Sequence, residues 1–251
     1  MNPAMYQDKA AEVNIGESSY PIWVGWGITK QIGARIKDLI RPEVTYVVTD
    51  QNAQRHARKI QISLERSGIT THIFIMESGE VHKTLDTVHH VYEWLAKRKA
   101  ERNHLIIAVG GGVVGDLAGF VASTYLRGMP YGQIPTTLLG VMDASIGGKV
   151  AVDLPQGKNL VGSFYQPQFV LSDVSFLKTL TDRQLNSGWA EAIKHSLIVD
   201  RDLFDEFRTN VDDISSLDPD ITTNIIRRSV AIKADIVSRD EKETLGIRIL
   251  L

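Results

Sequence analysis

Two absences limit what this sequence can do: it has no cysteine and no long apolar run. Without cysteine there are no disulfides, no thiolate nucleophiles and no sulfur ligands, so a bound metal would need oxygen or histidine ligands. No apolar run approaches the length needed to span a bilayer, and residues 1–12 lack the apolar stretch of a secretory signal. We therefore expect a cytoplasmic protein that does not bind membranes.

A marked excess of charge of either sign is also missing. The 251 residues carry 28 Lys and Arg against 30 Asp and Glu, a formal net charge of -2. Nucleic-acid-binding proteins display a basic face, so we expect no nucleic-acid partner, whereas a small anionic ligand is compatible with this balance. With 43% hydrophobic and 23% charged residues, the composition is that of an ordinary globular protein of one large or two modest domains.

Strand-like and helix-like segments alternate through the first two thirds of the chain. A hairpin is predicted through residues 13–15 and 20–24. The later strand candidates are residues 44–49, 71–76 and 105–109. Helical stretches include one ending near Gly68, one over residues 83–98 and one over residues 117–124. This alternation predicts an α/β domain with a parallel sheet.

The pattern changes near Leu180, after which only amphipathic helical segments follow. Asp218 followed by Pro219 has the residue types of a helix start, with aspartate as the cap and proline in the first helical position. We place a domain boundary near Ser175. The expected organisation is an α/β domain over residues 1–175 and a helical domain over residues 176–251.

A glycine-rich turn follows the strand candidate at residues 105–109. Gly110, Gly112 and Gly115 fit the pattern G-x-G-x-x-G between a strand and a helix. Glycines let backbone N–H groups approach a diphosphate closely, and the following helix directs its partly positive end at the same anion. The alternative is a tight structural turn. The pattern favours a Rossmann-like, dinucleotide-binding first domain.

The acidic residue that usually holds the ribose about twenty positions after such a turn is missing here. Asp50 follows its strand candidate and Asn52 comes just after it. Because ligands of open parallel sheets gather outside the carboxyl ends of strands, Asp50 is our candidate ribose partner. The alternative is that Asp50 serves only as the cap of the next helix.

Threonines, glycines and lysines recur between Arg127 and Asn159. The members of this polar cluster are Pro135-Thr136-Thr137, Asp143, Gly147-Gly148-Lys149 and Gly157-Lys158-Asn159. We expect them on loops, where lysine charges, threonine hydroxyls and closely approached glycines suit phosphate groups. The alternative is a solvated loop with scattered charges.

Glu191 lies in a helical segment with His195 four residues later, so the two side chains would share a face. This spacing suits a pair of metal ligands. On spacing alone, the favoured interpretation is simpler: Glu191 pairs with Lys194, and His195 is a surface or capping residue.

Several long blocks, in order, closely resemble 3-dehydroquinate synthase. They are SGEVHK (78–83), GGGVVGDLAGFVASTYLRG (110–128), PTTLLGVMDASIGGKVAV (135–152), GKNLVGSFYQP (157–167), AEAIKHSLI (190–198) and IKADIVSRDEKE (232–243). The resemblance implies a shikimate-pathway enzyme that uses NAD and a divalent metal, zinc or cobalt. Its reaction would convert 3-deoxy-D-arabino-heptulosonate 7-phosphate to 3-dehydroquinate and phosphate. The resemblance also implies a homodimer for the full-length protein.

The resemblance further implies roles for individual residues. The NAD contacts would be Asp50, Asn52, Glu80, Lys83, Gly112, Val113, Val114, Gly115, Asp116, Thr136 and Thr137. Between cofactor and substrate would lie Asp143, Lys149, Lys158 and Asn159. The substrate's phosphate and carboxylate would meet Arg127, Lys194, Lys233 and Arg248, while Glu191 would bind the metal. The family generally has tyrosine where His195 stands, so the resemblance assigns His195 no role.

The sequence ends just after Arg248, before the stretch that carries the family's two metal-binding histidines. One carboxylate is a weaker metal site than three ligands, so we expect this chain by itself to hold metal weakly and to turn over little or no substrate. The rival interpretations are an inosose- or valiolone-forming sugar-phosphate cyclase, a glycerol-dehydrogenase-like enzyme and a non-catalytic NAD-binding module.

Overall fold

The computed structural model describes residues 7–250, so residues 1–6 of the segment considered above as a signal, and Leu251, lie outside it. The strands are β1 Lys9–Val13, β2 Tyr20–Gly25, β3 Val44–Asp50, β4 Thr70–Met76, β5 Leu105–Gly110, β6 Tyr131–Pro135, β7 Lys149–Leu154, β8 Gly157–Phe164 and β9 Val170–Asp173. The α-helices are α1 Ile32–Leu39, α2 Gln54–Arg66, α3 Leu85–Lys97, α4 Gly112–Thr124, α5 Asp182–Val199, α6 Arg201–Thr209, α7 Val211–Ser215 and α8 Pro219–Arg239.

One seven-stranded sheet organises the first part of the chain, in the order β1-β2-β9-β6-β5-β3-β4. Every neighbouring pair is parallel except β1 and β2, which form an antiparallel hairpin with Val13 opposite Tyr20. The chain moves outward from β3 to β4 and then returns to β5 on the other side of β3. The carboxyl ends of β3 and β5 therefore flank a topological switch point, where open parallel sheets bind their ligands.

Helices cover both faces of this sheet. Ile36 of α1 and Ile60 of α2 pack with Val47 and Ile107 on one face. On the opposite face, Val91 of α3 and Leu117 of α4 pack with neighbouring strand residues of β3 and β5. Strands buried on both faces are continuously apolar, which is why β5 reads LIIAVG and is buried throughout.

A two-stranded antiparallel sheet, β7 with β8, packs beside α4. Val150 and Val152 of β7 face inward and join the core that contains α4. The polar cluster between Arg127 and Asn159 was expected on loops, but Lys149 begins β7 and Lys158 and Asn159 lie on β8. The loop prediction was wrong for these three residues. On β7 the buried Val150 and Val152 alternate with the more exposed Lys149, Ala151 and Asp153, a period-two pattern that suits a strand with one buried face.

The last part of the described chain is helical, from α5 to α8. As predicted, Asp218 caps α8: its Oδ1 accepts hydrogen bonds from the N–H groups of Asp220 and Ile221, both at 3.0 Å, and Pro219 is the first helical residue. Within residues 7–250, no helix combines the length and apolar character that crossing a membrane requires.

The remaining predicted elements are confirmed to within one or two residues, with two exceptions. The first strand of the hairpin ends at Val13 rather than beginning there, because Gly16–Ser18 forms a short 3-10 turn that Ile15 leads into. The helix expected from residue 117 begins at Gly112, inside the glycine-rich turn. This second difference decides the shape of the candidate site.

Candidate active site: two cavities that share one helical turn

The first turn of α4 lies at the centre of the candidate site. Gly111 is extended, with φ -78° and ψ -171°, and no side chain caps the helix that starts at Gly112. The backbone N–H groups of an uncapped helix start are unsatisfied donors, and the helix dipole adds partial positive charge there. The turn therefore presents backbone donors at the carboxyl end of β5, where the sequence predicted a diphosphate; the binding of an anion there stays a prediction.

A cavity of about 530 Å³ opens in front of this turn. It lies at the carboxyl ends of β3, β5 and β6 and at the start of α5. Its lining residues include Asp50, Asn52, Gly111, Gly112, Val113, Thr136, Thr137, Thr179, Thr181 and Gln184. Six of the predicted cofactor residues thus meet in one cavity, whereas Val114 is buried behind the turn and Gly115 lies against Gln133.

Asp50 has a local structural contact in addition to its place in the first cavity. Its Oδ1 accepts a hydrogen bond from the N–H of Ala53 at 2.8 Å, so the alternative capping role is present. A carboxylate has two oxygens and about four acceptor sites, and one such bond leaves acceptor capacity for a ribose hydroxyl. The structure is compatible with both roles.

Sequence reasoning missed several residues of the first cavity. His56, in the first turn of α2, is 6% exposed, and its Nε2 lies 3.1 Å from the hydroxyl of Thr179. Thr181 and Gln184 form a capping box at the start of α5. No motif connects these positions along the chain, although the rule that ligands gather at strand ends pointed to the first turn of α2.

A second cavity, of about 590 Å³, lies on the other side of the same helical turn. Its charged and polar lining residues are Asp116, Asp143, Lys149, Asn159, Ser163, Lys233, Glu243 and Arg248. Lys149 and Asn159 come from the β7–β8 sheet, Lys233 from α8, and Asp143 from a π-helical turn, Gly140–Ala144. Residues more than a hundred positions apart therefore line one space.

Lys83 ties the glycine turn to the β7–β8 sheet. Its ammonium lies 2.5 Å from Asp116 Oδ2 and 2.5 Å from Asn159 Oδ1, and the residue is 3% exposed. Burial raises the pKa of the Asp116 carboxyl to about 6, against the opposing effect of Lys83. Lys83 and Asp116, predicted as cofactor contacts, thus form an ion pair, and Asp116 lines the second cavity.

Glu80 and Lys158 form a second link between the same two segments. Lys158 Nζ lies 3.1 Å from Glu80 Oε1, but both side chains are exposed and neither residue lines the two cavities described above. An exposed pair of this kind contributes at most about 1 kcal/mol to stability. Its predicted place beside a cofactor stays a prediction.

Cations and carboxylates alternate around the second cavity. Lys233 is 4% exposed, with its ammonium 2.7 Å from Asp143 Oδ1. Arg248, also 4% exposed, donates from Nη1 to the carbonyls of Gly147 and Glu241, at 3.3 and 2.6 Å. Glu243 pairs with Lys149 and contacts Arg248. Sequence reasoning gave Glu243 no role, although the block that contains it was part of the resemblance.

Glu191 projects from α5 with its side chain 14% exposed. Its Oε1 lies 2.6 Å from Lys194 Nζ and 3.2 Å from His195 Nε2. The interpretation of His195 as a surface or capping residue was wrong: it is fully buried, because α8 covers this face of α5 and Ser229 contacts its Nδ1 at 2.7 Å. Burial lowers the pKa of His195, while the neighbouring Glu191 opposes the shift.

The carboxylate of Glu191 fits one position of a zinc or cobalt site, since it is an oxygen donor held in a largely water-excluded place. Among residues 7–250, no group of three or more His, Asp or Glu side chains lies together in a way that could hold a metal. The role of Glu191 as a metal ligand stays a prediction.

Arg127 is not brought to either cavity. It lies in the short turn Tyr125–Arg127 after α4, is exposed and has φ 65°. The 13 residues of α4 separate it from the glycine turn by roughly 20 Å along the helix. A substrate contact for Arg127 therefore stays a prediction.

Comparison with known proteins agrees with this geometry. The family model described as 3-dehydroquinate synthase N-terminal matches residues 73–187, and the one described as 3-dehydroquinate synthase C-terminal matches residues 188–251. The 3-dehydroquinate synthase of Symbiobacterium thermophilum is 43% identical over 242 residues, 95% of this chain and 67% of that protein. The 3-dehydroquinate synthase of Caldanaerobacter subterraneus subsp. tengcongensis is 45% identical over 232 residues, 92% of this chain and 65% of that protein.

Solved structures show the same fold. A 2-deoxy-scyllo-inosose synthase complexed with carbaglucose-6-phosphate, NAD+ and Co2+ superposes with a TM-score of 0.83 at 28% identity, over 93% of this chain and 63% of that one. A 2-epi-5-epi-valiolone synthase from Streptomyces hygroscopicus, with NAD+ and Zn2+ bound, gives a TM-score of 0.81 at 28% identity, over 92% of this chain and 64% of that one. An iron-containing alcohol dehydrogenase, at 15% identity and a TM-score of 0.68, shares the fold alone.

The parallel sheet, the uncapped helix start and the cation-lined second cavity define a dinucleotide-binding fold of the sugar-phosphate cyclase type. Within that class, the chain belongs to the 3-dehydroquinate synthase family. It spans about two thirds of the length of the curated relatives that it matches.

Proposed function

We propose that this chain carries the NAD-binding part, and the beginning of the metal- and substrate-binding part, of a 3-dehydroquinate synthase. The activity would convert 3-deoxy-D-arabino-heptulosonate 7-phosphate to 3-dehydroquinate and phosphate, a carbon–oxygen lyase reaction. The observation that carries the proposal is that one turn of α4 borders both cavities: Gly112 and Val113 line the first, and Asp116 lines the second. A dinucleotide with its diphosphate on this turn would point its nicotinamide end at the second cavity.

NAD would occupy the first cavity. The helix start at Gly112 would bind the diphosphate, and Asp50 would accept a hydrogen bond from a ribose hydroxyl. Thr136 and Thr137, at the end of β6, would supply hydroxyl and backbone donors. Two structural relatives, an inosose synthase and a valiolone synthase, were solved with NAD+ bound, which supports this assignment.

The second cavity would take the sugar phosphate. Its cations, Lys149, Lys233 and Arg248, suit the phosphate and carboxylate of the substrate. Lys233 is held by Asp143, and Arg248 by two backbone carbonyls, so their charges are oriented before a ligand arrives. Preoriented charges on buried side chains, here Lys233 and Arg248, stabilise developing negative charge more strongly than water does.

The cofactors would supply the redox and Lewis-acid chemistry, since NAD accepts and returns a hydride and a divalent ion polarises a hydroxyl or carbonyl oxygen. Glu191 would supply an oxygen ligand to that ion, and Lys194 would neutralise the carboxylate's remaining charge. Asn159 and Lys83 would hold the β7–β8 sheet against the glycine turn and so limit water access between the cavities. The chain's own contribution is thus positioning and charge placement.

Relatives in the same fold class give the alternative candidates. Inosose- and valiolone-forming cyclases share the fold, but the higher identity to 3-dehydroquinate synthases, 43% against 28%, favours the latter. A glycerol-dehydrogenase-like enzyme rests on fold similarity alone, at 18% identity. A non-catalytic NAD-binding module stays an alternative because the chain's own activity is a proposal.

Titration calorimetry with NAD tests the nucleotide site. In Gly111→Ala the new methyl would lie 3.1 Å from Thr137 Cγ2 and crowd the cavity wall, so we expect affinity for NAD to fall at least about tenfold. Gly157→Ala is the matched control, because its methyl meets Leu160 at 3.3 Å and lies outside the cavity. Equal loss in both variants, or no NAD binding by the unmodified chain, would contradict the assignment.

Product analysis tests the reaction. The chain, NAD and Zn2+ or Co2+ are incubated with 3-deoxy-D-arabino-heptulosonate 7-phosphate or with glucose 6-phosphate, and released phosphate and carbocyclic product are measured. A cyclase returns its hydride, so net accumulation of reduced NAD would favour a dehydrogenase. Because Glu191 alone is a weak metal site, we expect slow turnover and substoichiometric metal in this chain. A homodimer and a cytoplasmic location stay predictions.

A further inference from the structure

His56 connects two walls of the first cavity. It lies in the first turn of α2 and is 6% exposed. Its Nε2 lies 3.1 Å from the hydroxyl of Thr179, and both residues line the cavity. The same ring packs on the ring of Phe176, with 4.0 Å between the ring centroids. One buried side chain of α2 therefore contacts the 3-10 segment Val174–Thr179 at two places.

The neighbours of Thr179 decide which ring nitrogen of His56 carries a hydrogen. The Thr179 hydroxyl donates its single hydrogen to the carbonyl oxygen of Phe176, at 2.7 Å. Towards His56 the hydroxyl can then only accept, so Nε2 must be the donor. Burial lowers the pKa of His56, which favours the neutral ring. In that ring Nδ1 is a bare acceptor, and it has no hydrogen-bond partner within residues 7–250.

The segment that His56 contacts continues as a wall of the first cavity. Leu180 follows Thr179, and the capping box of Thr181 and Gln184 then starts α5. All four of these residues line the cavity, opposite the wall that the end of β3 and the first turn of α2 provide. A hydrogen bond from a buried ring on α2 thus limits how far the α5 side can move away from the sheet side.

We propose that His56 is a positioning residue of the nucleotide site: its Nε2–H holds Thr179, and with it the start of α5, against the first turn of α2. The inference rests on the proposed function, since it assumes that NAD occupies the first cavity. Without this bond, the α5 wall would have to become ordered when the nucleotide binds, and such ordering lowers affinity. His56 acts through Thr179, so it need not touch the nucleotide.

Titration calorimetry with NAD tests this role on the unmodified chain, two single variants and the double variant. His56→Leu removes both ring nitrogens, and Thr179→Val keeps the shape of threonine without its hydroxyl. We expect each substitution to lower NAD affinity about three- to tenfold, as for the loss of one buried hydrogen bond. The double variant should bind no more weakly than the weaker single variant, because both substitutions remove the same bond.

The comparison also separates the bond from a direct contact between Thr179 and NAD. Loss of a direct contact would lower affinity by the same factor whether His56 is present or replaced, so the two losses would multiply. His56→Gln retains a donor and should recover part of the affinity. His104→Leu is the matched control, because His104 is also buried, precedes β5 at the opposite end of that strand and lines neither cavity.

Nitrogen-15 NMR of the histidine rings tests the hydrogen bond without nucleotide. We expect the neutral Nε2–H form of His56 in the unmodified chain. In Thr179→Val, which removes the acceptor, we expect a mixture of the two neutral forms. A ring with its hydrogen only on Nδ1 would overturn the proposal, because a bare Nε2 cannot donate to Thr179.

The outcomes separate this inference from the proposed function. Unchanged NAD affinity in a folded His56→Leu variant, or losses that multiply in the double variant, would overturn the positioning role and leave the nucleotide site in place. An equal loss in His104→Leu would also overturn it, since the effect would then be general. If the unmodified chain binds no NAD, the nucleotide assignment of the first cavity fails together with the positioning role.

Discussion

Among single residues, Lys83 and Asp116 form a largely buried ion pair whose carboxylate lines the second cavity. Without its partner, either side chain would be an unpaired charge in a largely buried place. Removing one partner is therefore expected to lower the free energy of unfolding strongly. Lys83 lies in a segment before α3, and Asp116 lies in α4, four residues after Gly112. Two predictions follow from their burial.

The Asp116 carboxyl should make stability decrease as pH rises from about 4 to about 6. Its folded pKa is raised by burial to about 6 from 3.8, so the folded state binds the proton more tightly than the unfolded state. The stabilising contribution is therefore complete below about pH 4 and is lost as the pH rises through about 6. Urea unfolding of the wild type and of Asp116→Asn is measured at about pH 4.5 and about pH 7. Between these pH values, the free energy of unfolding of the wild type should fall by on the order of 2 kcal/mol relative to that of the variant. A difference that stays constant or grows with pH would contradict this.

Lys83→Met should be strongly destabilising, because it leaves Asp116 as a buried charge without its partner. We expect a loss of about 3 to 5 kcal/mol in the free energy of unfolding, measured by denaturant titration. In the Asp116→Asn background the same substitution should cost much less, since no charge is then left unpaired. Simple additivity of the two substitutions would show that the pair is not coupled.

At the scale of elements, the close packing of α4 against β7 and β6 depends on Gly119. A Cβ at this position would lie 2.3 Å from Val150 Cγ1 and 3.2 Å from Tyr131 Cε2, so no side chain fits without a shift. The contact brings the β7–β8 sheet, with Lys149 and Asn159, up to the glycine turn. The geometry of the second cavity is thus set by a residue that does not line it.

Gly119→Ala should destabilise the protein by about 1 to 3 kcal/mol through overpacking. Adding Val150→Ala should recover part of this loss, because it removes the methyl groups that the new Cβ would meet. Chemical denaturation of the two single variants and the double variant measures the coupling. If the two substitutions lower the free energy of unfolding additively, the tight contact between α4 and β7 is contradicted.

At the scale of the whole molecule, the sheet and the helical part share a core. Val13 and Ile22 of the β1–β2 hairpin pack in the same cluster as Phe207 of α6 and Val230 of α8. The boundary predicted near Ser175 therefore separates two kinds of secondary structure, while the packing continues across it. Whether the two parts are separate domains stays a prediction.

Because of this shared core, we expect the chain to unfold in one cooperative transition. Calorimetry should give equal calorimetric and van't Hoff enthalpies. Val230→Ala, in the shared cluster, should lower the single transition temperature and cost roughly 2 to 4 kcal/mol by leaving a cavity. Two separate transitions, with only the helical one shifted by the variant, would show that the two parts are independent.

Local signals in the sequence were enough to predict the elements and the family. Apolar runs located β3, β4 and β5, the Asp218-Pro219 pair marked the start of α8, and the glycines after β5 marked the turn between strand and helix. The ordered blocks that resemble 3-dehydroquinate synthase then indicated the family, which comparison confirmed.

How distant charged residues pair, and how deeply they are buried, became visible only once the chain was folded. The link from Lys83 to Asp116 and Asn159, the contact of Glu243 with Lys149 and Arg248, and the burial of His195 against Ser229 each join residues that no local pattern connects. Their placement depends on how helices and strands pack. Gly119 has no side chain, so α4 packs closely against β7, and α8 covers one face of α5. Periodicity encodes which face of an element is buried, but not which partner covers it.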